Sequence, residues 1–306
     1  MAWVLACTTF PLIWLGGTVT TYQAGMAVDT WPSSFGYWFY PPPFWLKAWD
    51  LFLEHGHRML AQLVGVLTIA LAVVLWKMDR REWMRWLAAA AVAGVCFQGL
   101  LGGLRVLFDE RLLAKVHGCT APLFFALCAT LVTLTSAAWQ EPKPPQGHPA
   151  ARRLHRLALV VAAAVYLQIV LGAQLRHVAP GGWLGWFQLW VWLKLILAGL
   201  IAVGAVGLLV YMLRRVPAEV VIARRAKLLA VLFCVQLLLG AGTWVTKYNW
   251  PGWFRKYIWA VDYTPVQEGR LQVLVTTAHA AIGSLILVVA LGLTLWSFRR
   301  LRGSPP

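Results

Sequence analysis

Apolar residues in this chain neither alternate as in a half-buried strand nor recur as a narrow helical stripe. They run almost unbroken for about 20 residues at a time, the length needed to cross a ~30 Å hydrocarbon core. Eight such runs stand at 2–22, 51–76, 86–107, 112–138, 157–175, 188–213, 228–245 and 271–298. In lipid a helix satisfies each backbone group within itself. The pattern therefore predicts an all-α polytopic membrane protein with eight transmembrane helices. Composition agrees: 60% of the 306 residues are hydrophobic, 12% are charged and the mean hydropathy is +0.67, which excludes an ordinary soluble domain.

A formal net charge of +16 would suggest nucleic acid in a soluble chain, so the placement of the 27 Lys and Arg decides its meaning. The connections 77–85, 140–156 and 214–227, with the tail after Phe298, hold 16 basic and 4 acidic residues, against 7 basic and 6 acidic in the opposite loops. The positive-inside rule places both termini in the cytoplasm, the membrane being a bacterial cytoplasmic membrane, and leaves no case for a nucleic-acid partner. The stretch Glu141–Ala151, with Pro142, Pro144, Pro145 and Pro149, reads as a linker. Residues 1–140 and 157–306 then form two four-helix halves joined by a cytoplasmic segment, 141–156. The outer connections 23–50 and 246–270, rich in Trp, Tyr and Pro, read as lids at the interface. All five cysteines fall in apolar runs and indicate no disulfide frame. The first run lacks a basic leader and a small-residue cleavage pattern, and reads as a mature helix.

Two repeats run through the spans. The odd spans carry Gln98 with Gly102-Gly103, Gln168 with Gly172-Ala173, and Gln236 with Gly240-Ala241, while the first has Gly16-Gly17 without the Gln. Small residues there let helices approach and Gln can hydrogen-bond between them, a packing signal. The even spans carry, near their outer ends, a polar residue followed four positions later by a small one: His57 with Ala61, His117 with Ala121, Lys194 with Ala198, His279 with Gly283. A small residue one turn away would leave room for a flat macrocycle. The pattern suggests a duplicated four-helix unit in which facing helices each offer one axial ligand to a haem.

His57, His117 and His279 lie in apolar spans, where an ionisable side chain is expensive and normally has a partner. Glu54-His55-Gly56-His57-Arg58 is the densest polar cluster in any span. Glu54 and His57 share a helix face and Arg58 lies one turn from Glu54, which allows either a local Glu54–Arg58 ion pair or a reactive carboxylate beside a ligand. His55 points away from that face and reads as interfacial. Lys194 occupies the register of a third-helix His, where a neutral amine could ligate iron, or a snorkelling cation could reach the interface or a propionate. Arg105 and Arg176 end spans three and five, each after a Gln/Gly pair, as propionate clamps or interfacial anchors. His148, His155 and His177 read as solvated surface.

These residues resemble the haem A synthase family, the eight-helix membrane enzymes that convert haem O to haem A for cytochrome oxidase assembly. The resemblance runs from Gly16-Gly17-Thr18-Val19-Thr20-Thr21-Tyr22-Gln23-Ala24-Gly25-Met26-Ala27-Val28-Asp29-Thr30-Trp31-Pro32, through Glu54-His55-Gly56-His57-Arg58, to Gln98–Val106 and Val116-His117-Gly118. It implies two pseudo-symmetric four-helix bundles, the first taking the substrate haem on His57 and His117 with Glu54 as the catalytic carboxylate. The second would hold haem b, with His279 as one ligand. The partner His expected on span six is absent, with Lys194 near its place, and the Cys pair that many members carry in the first outer loop is absent too. Arg58, Arg105 and Arg176 would help to bind the cofactor. The implied reaction is successive hydroxylation of the ring D methyl of haem O to a formyl group, with haem O synthase and an electron-transfer protein as partners. The competing classes are a transmembrane cytochrome b that only passes electrons, which gives Glu54 no task, and a haem-handling or export protein, which would leave the methyl unchanged.

Overall fold

In the computed structural model, residues 1–38, 40–141, 144–177, 184–216, 219–258 and 263–303 are described. Eight long helices carry the fold: α1 Ala2–Thr21, α2 Trp49–Met78, α3 Glu82–Phe108, α4 Arg111–Thr135, α5 Ala151–Arg176, α6 Leu184–Arg215, α7 Val220–Tyr248 and α8 Arg270–Arg300. All eight are long and apolar enough to cross a membrane.

Most of the helices outrun the apolar segments that announce them. α5 takes in Arg152, Arg153 and Arg156, and α7 takes in Arg224, Arg225 and Lys227. Arg and Lys are good helix formers, and the backbone ladder does not stop where the apolar run stops. α5 therefore begins inside the segment expected as a linker, of which 142–143 lie outside the described residues. A parallel two-strand ladder between β1, Gln146–His148, and β2, Leu301–Gly303, ties what is left of that segment to the chain's end, a pairing that three-residue strands give no pattern to foresee. Two expected surface histidines are correspondingly held in place. His155 stacks on Phe298 with ring centroids 4.0 Å apart and bonds the Ser297 carbonyl, and His148 Nδ1 accepts the Ala150 N–H.

Among residues 1–140, α1 contacts α2 and α4, and α3 contacts both α2 and α4. Among residues 151–303, α5 contacts α6 and α8, and α7 contacts both α6 and α8. Contacts of α8 with α1 and α4, and of α4 with α5, join the two sets. Each set has its own apolar core: Leu5, Val64, Met84, Phe125 and Leu131 in the first, Leu154, Ile201, Leu208, Leu229 and Leu293 in the second. α8 is the innermost helix, 61% of its most apolar stretch being buried. Outward faces carry large apolar side chains such as Val203 and Leu238, more than 70% exposed, as lipid-facing surfaces require.

The outer connections are pinned rather than free. Tyr22, Trp49, Phe52 and Trp45 form a chain of ring contacts over the start of α2, and the Gln23 amide donates to the Glu268 carboxylate at 2.5 Å, bridging the two outer loops. The end of the molecule that bears these loops is called outer below.

Candidate functional site

The two sequence repeats meet in space. A β-carbon added at Gly16 of α1 would lie 2.8 Å from Cε1 of His57 on α2. One at Gly102 of α3 would lie 3.4 Å from Cε1 of His117 on α4, and one at Gly240 of α7 would lie 3.2 Å from Cε1 of His279 on α8. The fourth pair keeps the register with a different side chain: at Gly172 of α5 the neighbour is Nζ of Lys194 on α6, at 2.7 Å. Each glycine is thus the floor on which one polar side chain of the next helix lies. On α8 the small residue four positions later serves another purpose. At Gly283 the added carbon would meet Nε2 of Gln236 at 3.3 Å, so that room is filled by Gln and is not clearance for a macrocycle.

The glutamines complete the pairs. Gln168 Nε2 donates to the Lys194 carbonyl and Gln236 Nε2 to the His279 carbonyl, both at 3.0 Å. Gln98 Nε2 instead meets Thr120 Oγ1 at 2.5 Å, and that hydroxyl bonds the Val116 carbonyl. A side-chain donor to a helix carbonyl fixes the rotation of that helix where no water competes. The three amide oxygens remain buried and unpaired; Nδ1 of His57, His117 and His279 is buried too, while Nε2 of each is outside that buried set. Within each set the helices that carry these residues, α2 with α4 and α6 with α8, are not among the strongly contacting neighbours and lie across a diagonal.

Glu54 lies 4% exposed on α2, one turn outward of His57. Its Oε1 accepts from Arg58 Nε at 3.1 Å and faces Nη2 at the same distance, while the other oxygen makes no hydrogen bond. The sequence left an ion pair and a reactive carboxylate as alternatives for Glu54, and the structure shows the pair with one oxygen to spare. The remaining Arg58 donors go to the outer loop, to the Thr30 carbonyl at 2.5 Å and the Val28 carbonyl at 2.9 Å. One guanidinium therefore couples Glu54 to loop 28–34. From that loop the Trp31 indole fills the space over Gly103, beside the Gly102 that floors His117.

His55 departs from expectation. It is 1% exposed, with both ring nitrogens unpaired, under the edge of Trp45 at 6.1 Å. The folded-back loop covers a residue that helix geometry alone leaves at the surface. Arg105 and Arg176 both grip backbone near the end of α1: Arg105 Nη2 donates to the Gly25 carbonyl at 2.6 Å, and Arg176 Nη2 to the Gly17 carbonyl at 2.5 Å and Thr21 Oγ1 at 2.6 Å. Arg176 thereby crosses from the second set of helices to the first. His177, expected as surface, is partly buried in a cavity of about 150 Å³ shared with Thr20, Gln23, Arg105 and Glu110. Burial, reinforced by the neighbouring Arg176, pushes its imidazole down to about 4, so it is neutral at pH 7.

The donor set suits a macrocyclic iron better than a bare ion. Among the described residues no three His, Cys, Asp or Glu side chains converge, and a haem, which brings four nitrogens of its own, needs only the one or two axial donors that a diagonal supplies. The five cysteines are unpaired.

Residues 43–184 match the family described as cytochrome oxidase assembly protein, COX15-CtaA. That segment contains Glu54, His57, Arg58, Arg105, His117 and Arg176 and stops short of Lys194 and His279. The chain is 31% identical over 169 residues to a protein named Heme A synthase from Shouchella clausii and 32% identical over 167 residues to another from Halalkalibacterium halodurans, covering 53% of each chain in both cases. It is also 31% identical over 149 residues to a protein named Protoheme IX farnesyltransferase from Halobacterium salinarum, covering 45% of this chain and 31% of that one. The chain spans about half the length of the curated Heme A synthases it matches first. Through the segment that holds Glu54, His57 and His117, the chain is similar to the COX15-CtaA family of cytochrome oxidase assembly proteins.

Proposed function

We propose that this chain is a haem A synthase, a membrane oxidoreductase that takes haem O and returns haem A for cytochrome oxidase assembly. The observation that carries this reading is Glu54, a buried carboxylate with one oxygen fixed by Arg58 and the other unbonded, one helical turn from His57. A protein that only passes electrons has no use for such a group, whereas the oxidation of a methyl must dispose of protons. The family match over the segment that contains Glu54, and relatives named Heme A synthase, support the same reading.

On this reading residues 1–140 are the substrate half, with His57 and His117 as the iron ligands, and residues from 157 onward are the half that takes a haem b on His279. A bound haem would supply the redox chemistry by which the ring D methyl becomes a formyl group, an oxidation whose oxygen atom and electron acceptor come from outside the chain. The chain's own part is positional and protonic. Gly16 and Gly102 seat the two imidazoles, and burial of Nδ1 leaves Nε2 as the nitrogen offered to iron. Arg58 holds Oε1 of Glu54, so Oε2 is the atom that accepts a proton and passes it on. Loop 28–34, tied down by the same arginine, keeps water from the outer end. The relative named Protoheme IX farnesyltransferase contains a stretch similar to this chain, which supports haem O synthase as a partner. The basic loops support cytoplasmic termini.

The test is chromatographic mass analysis of haems extracted from the purified chain, produced with a source of haem O, beside a His57→Ala variant. Haem A together with haem B is expected in the parent and haem A is expected to vanish in the variant. Haem B alone in both would overturn the enzyme in favour of an electron-transfer protein.

A further inference from the structure

The helices of the second half contain no carboxylate. No Asp or Glu occurs within Ala151–Arg176, Leu184–Arg215, Val220–Tyr248 or Arg270–Arg300. Lys194 nonetheless lies in the outer part of one of them, in an apolar run. Among the described residues its Nζ makes no hydrogen bond and no ion pair, and the charged residue one turn beyond the glycine on which it lies is another cation, Arg176. Its amine lies on Gly172, in the seat that Gly16, Gly102 and Gly240 give to three imidazoles, and its own carbonyl takes the Gln168 donor that corresponds to Gln236 on His279.

An ammonium ion in hydrocarbon, beside a guanidinium and without an acid, is among the costliest arrangements a membrane protein can keep. An amine without its proton has a lone pair, and donating it to a metal satisfies the group without any countercharge. Three observations converge: the glycine floor, the glutamine clasp and the lack of any acid on the four helices of this half. We propose that the amine of Lys194 and the imidazole of His279 are the two axial ligands of the iron in the second half, giving an amine–imidazole haem where the first half makes a bis-imidazole one. This rests on the reading above that each half takes a haem, and it adds the identity of the missing ligand.

The test is spectroscopic and does not use haem A formation. A His57→Ala/His117→Ala chain leaves the second site alone. We expect one haem per chain, low-spin in the ferric state, with the electron paramagnetic resonance and near-infrared magnetic circular dichroism of an amine–imidazole pair. Lys194→Ala in that chain should keep the haem on His279 and lose the low-spin signal, and Lys194→His should restore a low-spin signal of bis-imidazole type. A second site that stays empty, or a low-spin spectrum that Lys194→Ala leaves unchanged, would overturn the assignment. Should the doubly substituted chain fail to fold, the difference spectrum of the otherwise unaltered chain and its Lys194→Ala variant reads the same transition. Failure of the two readings is distinguishable. An amine–imidazole spectrum in a chain that makes no haem A keeps the ligand and removes the enzyme, and haem A formation with a spectrum indifferent to Lys194 does the reverse.

Discussion

The two halves use the same glycine seats and differ in what they place around them. In the first, the seats hold two imidazoles, and a buried carboxylate stands one turn outward of one of them, clasped by an arginine that also holds a loop across the outer end. In the second, the seats hold an amine and an imidazole, and the helices contribute no acid. A shared scaffold with one acid-bearing site and one acid-free site is what a division between proton-coupled chemistry and plain electron transfer looks like. On the function proposed above, the difference teaches a division of labour: the duplicated glycine register would fix where iron is held, and the unduplicated Glu54–Arg58 pair where chemistry is done.

The largest expected break in this comparison is removal of an imidazole from one half at a time. His117→Ala should abolish binding of the substrate haem and leave the second haem spectrum intact, whereas His279→Ala should do the opposite; haem extraction with optical spectra of each variant decides. Next in size is Arg58→Ala. It leaves Glu54 buried without its partner and frees loop 28–34, and breaking a buried pair from one side costs about 3–5 kcal/mol. Thermal unfolding in detergent should fall clearly, and haem A formation should drop by roughly a hundredfold or more, since ~2.7 kcal/mol of lost stabilisation already corresponds to that factor. Arg58→Lys should rescue little, because a point ammonium cannot serve a carboxylate and two carbonyls at once.

A smaller contrast separates the glycine seats. Gly16→Ala puts a carbon 2.8 Å from the His57 ring, which cannot yield without losing its aim, whereas Gly172→Ala meets only the far end of a flexible lysine. Substrate haem binding should weaken about tenfold in the first variant, equivalent to ~1.4 kcal/mol, and second-site haem content should stay near the parent level in the second. Haem titration of both variants would show whether the seats differ as their occupants do.

The smallest expected effect lies at the opposite end, outside either site. Arg81 donates to both Asp79 oxygens, at 2.9 and 2.6 Å, and these bonds hold the Asp79 carboxyl below its usual range. A carboxyl lowered in the folded state adds stability above its unfolded pKa of about 3.9, and that contribution fades as pH falls through the folded value. Asp79→Asn should cost about 0.5 kcal/mol at pH 7, as exposed pairs do, and nothing in strong acid. Unfolding midpoints at the two pH values, with haem content unchanged throughout, would place the effect in the loop alone.

Much of this was legible in the chain. Eight apolar runs give eight helices because membrane length is written directly in hydropathy. The three histidines stood out because an ionisable residue in an apolar run needs a purpose, and they shared a register. Their seats were harder to read. Gly102, Gly172 and Gly240 look like helix-packing residues, and only the spatial pairing of odd with even helices shows a polar side chain resting on each. The small residue four positions after each ligand drew attention to the wrong partner, since at Gly283 the room belongs to Gln236. Loop 28–34 and the burial of His55 under Trp45 were not legible, because a Trp- and Pro-rich loop carries no period that says where it folds back. The hand of Arg176 on α1 was hidden for the same reason: a long side chain ends where tertiary structure places an acceptor.

The central claim, that Glu54 does the chemistry while the histidines hold the iron, is tested most directly by haem analysis of a Glu54→Ala chain purified with a source of haem O. The account predicts haem O bound at the parent level and no haem A. Haem A at a level near that of the parent chain would contradict it.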